Sequence, residues 1–122
     1  MTNGITAYQH SSLTASAEPM IRYMDLLSTR QKLVASNLAN ADTPGYHTKD
    51  IDFQFEFMSY VTGQDAQVTE PEGLYQKPDG NNVSVDREAR LLAENAIRFN
   101  LASTLARGSF DSVRKAIYEG RS

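Results

Sequence analysis

A mainly α-helical chain is predicted: two long terminal helices with heptad seams, packing as a coiled coil and joined by a central loop and short β region. Three observations predict it. Apolar residues recur in a four-three rhythm before residue 42 and again after residue 91. The stretch between them is rich in Pro, Gly, Asn and Asp, the residues of turns. The whole is 122 residues, the size of one domain.

Residues 1–17 are expected to be a flexible N-terminal segment. They carry Ser, Thr and Ala, no charged side chain apart from His10, and scattered apolar residues at Ile5, Tyr8 and Leu13. Residues 18–122 are expected to form a single domain in three parts: an N-terminal helix over about 18–41, a turn with a loop or β region over 42–85, and a C-terminal helix over 86–119.

The N-terminal helix can be capped by Ser16. Glu18 and Pro19 then fall in its first turn, where an acid meets the positive dipole end and a missing N–H is harmless. Its seam is Met20, Met24, Leu27, Gln31, Val34, Leu38 and Ala41, with one polar interruption at Gln31. The helix stops in the decapeptide Asn37-Leu38-Ala39-Asn40-Ala41-Asp42-Thr43-Pro44-Gly45-Tyr46. Asn37, Asn40 and Asp42 terminate helices readily. Pro44 moves Thr43 out of the helical region, and Pro44-Gly45 suits a type II turn. Tyr46 could then anchor the turn on a neighbour.

Residues 51–61 alternate, with Ile51, Phe53, Phe55, Phe57 and Val61 on one side, which is a strand signal. A helix using Phe53, Phe57 and Tyr60 is the competing reading. Residues 63–82 read as loop, and Lys77-Pro78-Asp79-Gly80-Asn81 is turn chemistry. That turn could join Leu74–Gln76 to Val83–Val85 as a hairpin.

The C-terminal helix is expected to start at Asp86 and run for roughly 50 Å. Its seam is Leu92, Ala96, Phe99, Ser103, Ala106, Phe110, Val113 and Ile117. Gly108 lies inside it, where glycine costs about 1 kcal/mol relative to alanine. Close approach of another backbone would justify keeping it.

Two helices of unequal length cover each other along one stripe only, so the longer seam overhangs. Uncovered stripes mark interaction surfaces. The expectation is a marginal monomer whose core is completed by neighbouring chains.

Composition narrows the function. Net charge is −3, which argues against nucleic acid. Residues 42–79 hold eight acids and two lysines, so the centre is acidic. Cysteine is absent, which excludes disulfides and thiolate metal sites. The chain has no apolar stretch of bilayer-spanning length, and its first 20 residues do not read as a Sec-type signal. A small metal-dependent hydrolase would have to use His47, Asp42, Asp50 and Asp52. A single histidine among acids that suit caps and turns is not a ligand signature. No catalytic residue, cofactor, metal or small-molecule substrate is expected.

Asn37-Leu38-Ala39-Asn40 followed by Thr43-Pro44-Gly45-Tyr46 resembles the N-terminal signature of bacterial flagellar rod, hook and hook-associated proteins. The continuation Lys49-Asp50-Ile51-Asp52-Phe53, with Asp79-Gly80-Asn81-Asn82-Val83 and Asp86-Arg87-Glu88, is similar to the proximal rod family of the FlgB type. The resemblance spans roughly residues 19–120. The sibling FlgC type shares the turn motif, and a coiled-coil adaptor unrelated to flagella would share only the seams. The resemblance implies a structural rod subunit rather than an enzyme. It would be exported by the flagellar type III apparatus, assembled helically through its terminal helices, and would transmit torque. The implied partners are copies of itself, other rod proteins, the FliE-type adaptor, the MS ring and the export gate. The implied location is the basal-body rod on the periplasmic side of the inner membrane. Asn37, Leu38, Asn40, Thr43, Pro44, Gly45 and Tyr46 would form an assembly turn motif. Met20, Met24, Leu27, Val34, Leu38, Leu92, Phe99, Phe110, Val113 and Ile117 would form the assembling seams.

Overall fold

The computed structural model describes residues 18–59 and 64–120. The expectations for residues 1–17, the Ser16 cap, Tyr60 and Val61 lie outside the described residues. Five elements follow in order: helix α1 (Glu18–Ala39), strand β1 (Asp50–Ile51), helix α2 (Phe53–Met58), strand β2 (Val68–Thr69) and helix α3 (Val85–Glu119). The chain is mainly helical, and its two long helices pack on each other.

The pairing of α1 and α3 is antiparallel. Asn37, near the end of α1, meets Glu88, near the start of α3. Leu27 meets Asn95 farther along. Leu26, Leu27 and Val34 of α1 are buried with Leu91, Ala102 and Ala106 of α3. Continued along both helices, this register sets Glu18 level with about Ala106. From there α3 runs on to Glu119, roughly 20 Å farther.

Except at Ala106, which belongs to both, the α3 face turned to α1 is displaced by one residue from the expected seam. The face turned to α1 carries Glu88, Leu91, Asn95, Ala102 and Ala106. Leu92, Phe99, Phe110 and Ile117 lie on the adjoining flank and are 40, 41, 54 and 51% exposed. The reason is chemical. A search for the most apolar stripe passes over a row containing Glu and Asn, yet that row finds hydrogen-bond partners on α1. On α1, Leu27 and Val34 are buried as seam residues, while Met20, Met24 and Leu38 are half-buried.

Two further local expectations are corrected, and one left open between strand and helix is settled. Residues 53–58 are helix, the competing reading, rather than strand. Asp52 caps α2, its side chain accepting from the Phe55 amide. Phe53 and Phe57 then lie one turn apart and both meet the Tyr23 ring edge-on, with centroids 5.1 and 5.7 Å away. Phe55, which strand alternation would place beside them, is 59% exposed. The expected hairpin across residues 74–85 is absent. A tight turn stands there instead, with the Gly80 amide donating to the Lys77 carbonyl and the Lys77 amide to the Asn81 carbonyl. Val85 is already helical. Helix α3 is capped by Ser84, whose side chain accepts from the Arg87 amide, so Asp86 is a first-turn residue rather than the cap. The two short strands pair antiparallel, Asp50 with Thr69 and Ile51 with Val68, and tie the central segment together.

Candidate functional site: the helix junction and the uncovered flank

The decapeptide that ends α1 folds back on its own chain. Asn37 is fully buried, with all its amide atoms bonded. Its Nδ2 donates to the Lys49 carbonyl (2.8 Å) and to Glu88 Oε2 (3.1 Å). Its Oδ1 accepts from the Lys49 amide (3.0 Å) and from the Tyr46 hydroxyl (3.0 Å). One side chain of α1 thus ties the closing turn, the residue before β1 and α3 together. Tyr46 is an internal anchor in this structure, its hydroxyl also 3.2 Å from Ser36 Oγ. Leu38 is half-buried and Pro44 exposed.

The Thr-Pro-Gly-Tyr turn closes with the Tyr46 amide on the Thr43 carbonyl, and Gly45 has φ +74°. Those are the marks of a type II turn. Thr43 Oγ1 donates to Asn40 Oδ1, and Asn40 Nδ2 donates to the Ser36 carbonyl. The loop before α3 grips the turn from the other side. Fully buried Asn81 donates from Nδ2 to the Asn40 and Thr43 carbonyls, both at 2.9 Å. Its Oδ1 accepts from the Val83 amide. Asn82 takes the Thr48 amide at 2.6 Å, and its carbonyl accepts from Thr48 Oγ1.

Gly45 and Gly80 meet back to back. The Gly45 amide donates to the Asp79 carbonyl, and a Cβ on Gly80 would stand 3.2 Å from Gly45 Cα. Gly80 also has φ +88°. We predict that Gly80→Ala loses about 1–3 kcal/mol, from left-handed strain and from pushing two backbones apart. Denaturant unfolding of the full chain measures it. No loss would show that the turns do not touch.

Four charges complete the junction. Arg30 grips Asp50 with two bonds, Nε to Oδ1 at 3.0 Å and Nη2 to Oδ2 at 2.8 Å. Arg87 bridges Asp50 Oδ2 (2.6 Å) and Glu88 Oε1 (2.7 Å). Burial pushes the Asp50 carboxyl up. The hydrogen bonds and charge of Arg30, the Ile51 amide and the Arg87 bond outweigh this and hold it below its ordinary value.

The residues once considered as metal ligands are placed otherwise. Asp50 is taken up by two arginines, Asp52 caps α2, and His47 Nδ1 lies 3.5 Å from Glu70. Among the described residues no group of three such side chains converges, and no helix is long and apolar enough to cross a membrane.

Sequence reasoning missed Arg30, Thr48, Asp50, Asn81, Asn82, Glu88 and Asn95 as structural centres. A signal was available: several stand in the segments that carry the family resemblance, where they were read only as turn or cap residues.

The second feature is the flank of α3 made by Val85, Leu92, Phe99, Phe110 and Ile117, all exposed. Spaced by seven, seven, eleven and seven residues, they hold one helix face. Leu101 and Leu105 are exposed on the opposite flank. Gly108 has open space around it.

Comparison with known proteins places this architecture. A family described as flagella basal body rod protein matches residues 24–47, most of α1 and its closing turn. The flagellar basal body rod protein FlgB of Escherichia coli K12 is 30% identical over 80% of this chain and 88% of its own length. The Proteus mirabilis and Borrelia hermsii proteins of the same name are 30 and 29% identical, over 80 and 79% of this chain and 89 and 90% of theirs. With paired terminal helices, the signature turn at their junction and this breadth of identity, the chain belongs to the FlgB family of flagellar basal body rod proteins.

Proposed function

We propose that this chain is a building subunit of the proximal rod, exported by the flagellar type III apparatus and assembled helically through its terminal helices. It carries no chemistry of its own in this reading. Its task is to pass torque through packed helices. Its partners are copies of itself, other rod proteins, the FliE-type adaptor, the MS ring and the export gate. It stands on the periplasmic side of the inner membrane.

The observation that carries the proposal is the apolar flank of α3. A helix that buries Leu91, Ala102 and Ala106 on its own chain while exposing Leu92, Phe99, Phe110 and Ile117 is built for more than one neighbour. Open space at Gly108 leaves room for a close helix. A slim chain also suits passage through a narrow channel, with the remaining ordering offset by burial on docking.

Phe110 lies beyond the reach of α1 and is half exposed. We predict that Phe110→Asp leaves the stability of the isolated chain within about 0.5 kcal/mol and abolishes rod assembly. The measurements are thermal unfolding and swimming of a deletion strain supplied with the variant. Unchanged swimming would remove the flank from the assembly interface, and normal flagella in the deletion strain itself would end the proposal.

A further inference from the structure

Helix α3 has 35 residues and α1 has 22, so α1 can lie at more than one level along α3. Eleven residues make close to three helical turns, so a shift of eleven returns the same face of α3 to α1. In such a shift Phe99 takes the place of Glu88, Ala102 that of Leu91, and Ala106 that of Asn95. Val113 then replaces Ala102, and Ile117 replaces Ala106. Every incoming residue is apolar. By hydrophobic burial alone the shifted pairing is at least as good as the observed one.

What distinguishes the observed pairing is polar. Asn95 is buried in the seam and donates from Nδ2 to the Leu27 carbonyl (3.1 Å) and to Gln31 Oε1 (3.3 Å). Glu88 is fully buried, with one oxygen on Asn37 and the other on Arg87. Neither pair of bonds survives a three-turn shift, because Ala106 and Phe99 have nothing to offer in their place. A buried polar side chain in a helix seam costs stability and selects register.

We propose that Glu88 and Asn95 are register-selecting residues, which hold α3 in one of two antiparallel registers open to its apolar surface. They act through placement of α1, and the segment from Thr43 to Val83 closes over the junction only in the register they choose. In the shifted form α3 projects about 16 Å past the end of α1, and the Asn81 clamp on Asn40 and Thr43 opens.

The test uses the full chain, which has no cysteine of its own. Spin labels are placed at Asp25→Cys and Ala89→Cys, both exposed and already offset along the axis in the direction of the shift, and their separation is measured by pulsed dipolar spectroscopy. The parent should give one distance. Asn95→Leu should raise the melting temperature by on the order of 5 °C, since it fills the seam and leaves no orphan on α1. The double variant Asn95→Leu/Glu88→Met should remain helical and show a second population displaced by on the order of 15 Å. In its observed register Asn37 Nδ2 keeps the Lys49 carbonyl and Arg87 keeps Asp50, while the Asn37 N–H that met Glu88 loses its partner, which further disfavours that register. A lower melting temperature in Asn95→Leu would make Asn95 an ordinary stabilising contact and overturn the proposal. So would a double variant that unfolds or keeps a single distance.

Discussion

Asn37→Ala is expected to lower the stability of the isolated chain by at least 3 kcal/mol, enough to leave much of it unfolded at ordinary temperature. The substitution removes both ends of a fully buried amide. The Lys49 amide and carbonyl, the Tyr46 hydroxyl and Glu88 Oε2 all lose a partner at once. Each buried group left unsatisfied costs about 1–3 kcal/mol, more when charged. Those losses are not additive, since a water molecule entering the gap recovers part of them. Asn37→Asp should be no better. It keeps the acceptor, loses both donors and sets a second carboxylate against Glu88. Denaturant unfolding followed by circular dichroism measures the effect. A loss below about 1 kcal/mol would place Asn37 among ordinary surface residues, in conflict with its burial.

The second large effect is expected at Asp50. Asp50→Ala leaves Arg30 and Arg87 without the carboxylate they share, and removing one partner of a buried ion group costs about 3–5 kcal/mol. Arg30 and Arg87 keep some contact with solvent, so the lower end of that range applies. The same group sets an acid limit. Its folded pKa lies below the unfolded one. Its contribution is therefore complete above the ordinary carboxylate value of about 3.9 and is lost as pH falls through the folded value. Melting temperature recorded from pH 7 down to pH 2 should drop in that window. In Asp50→Asn the curve should start lower and lose part of its acid limb. An acid limb unchanged by Asp50→Asn would mean that other carboxylates govern the transition.

Both predictions concern residues whose weight was hard to read from the chain alone. The helices were legible because periodicity is a one-dimensional signal: Leu27 and Val34 recur on one face whatever lies opposite. The type II turn was legible for the same reason, since Pro44-Gly45 restricts its own backbone. The α3 face was displaced by one residue because hydropathy cannot tell a solvated Glu88 or Asn95 from one with a buried partner. The alternation at 51–57 misled through its three phenylalanines. The destination of Phe53 and Phe57 was set by Tyr23, about thirty residues earlier on another helix, and by Asp52 acting as a cap. The junction needed residues 30, 37, 50, 81 and 87 to converge. No local pattern announces a convergence over such separations, although the segments around Asp50, Asn81 and Arg87 already stood out as family marks.

The four charges at the junction have one more consequence. Arg30 and Arg87 are matched by Asp50 and Glu88 within a few ångströms, so the cluster is neutral as a whole. Dissolved ions screen fields over about 8–10 Å in ordinary saline, a longer distance than the cluster leaves uncompensated. A joint wired in this way is indifferent to the salinity of its surroundings. The element that fixes the subunit's shape is thereby insulated from changes in the ionic strength around it.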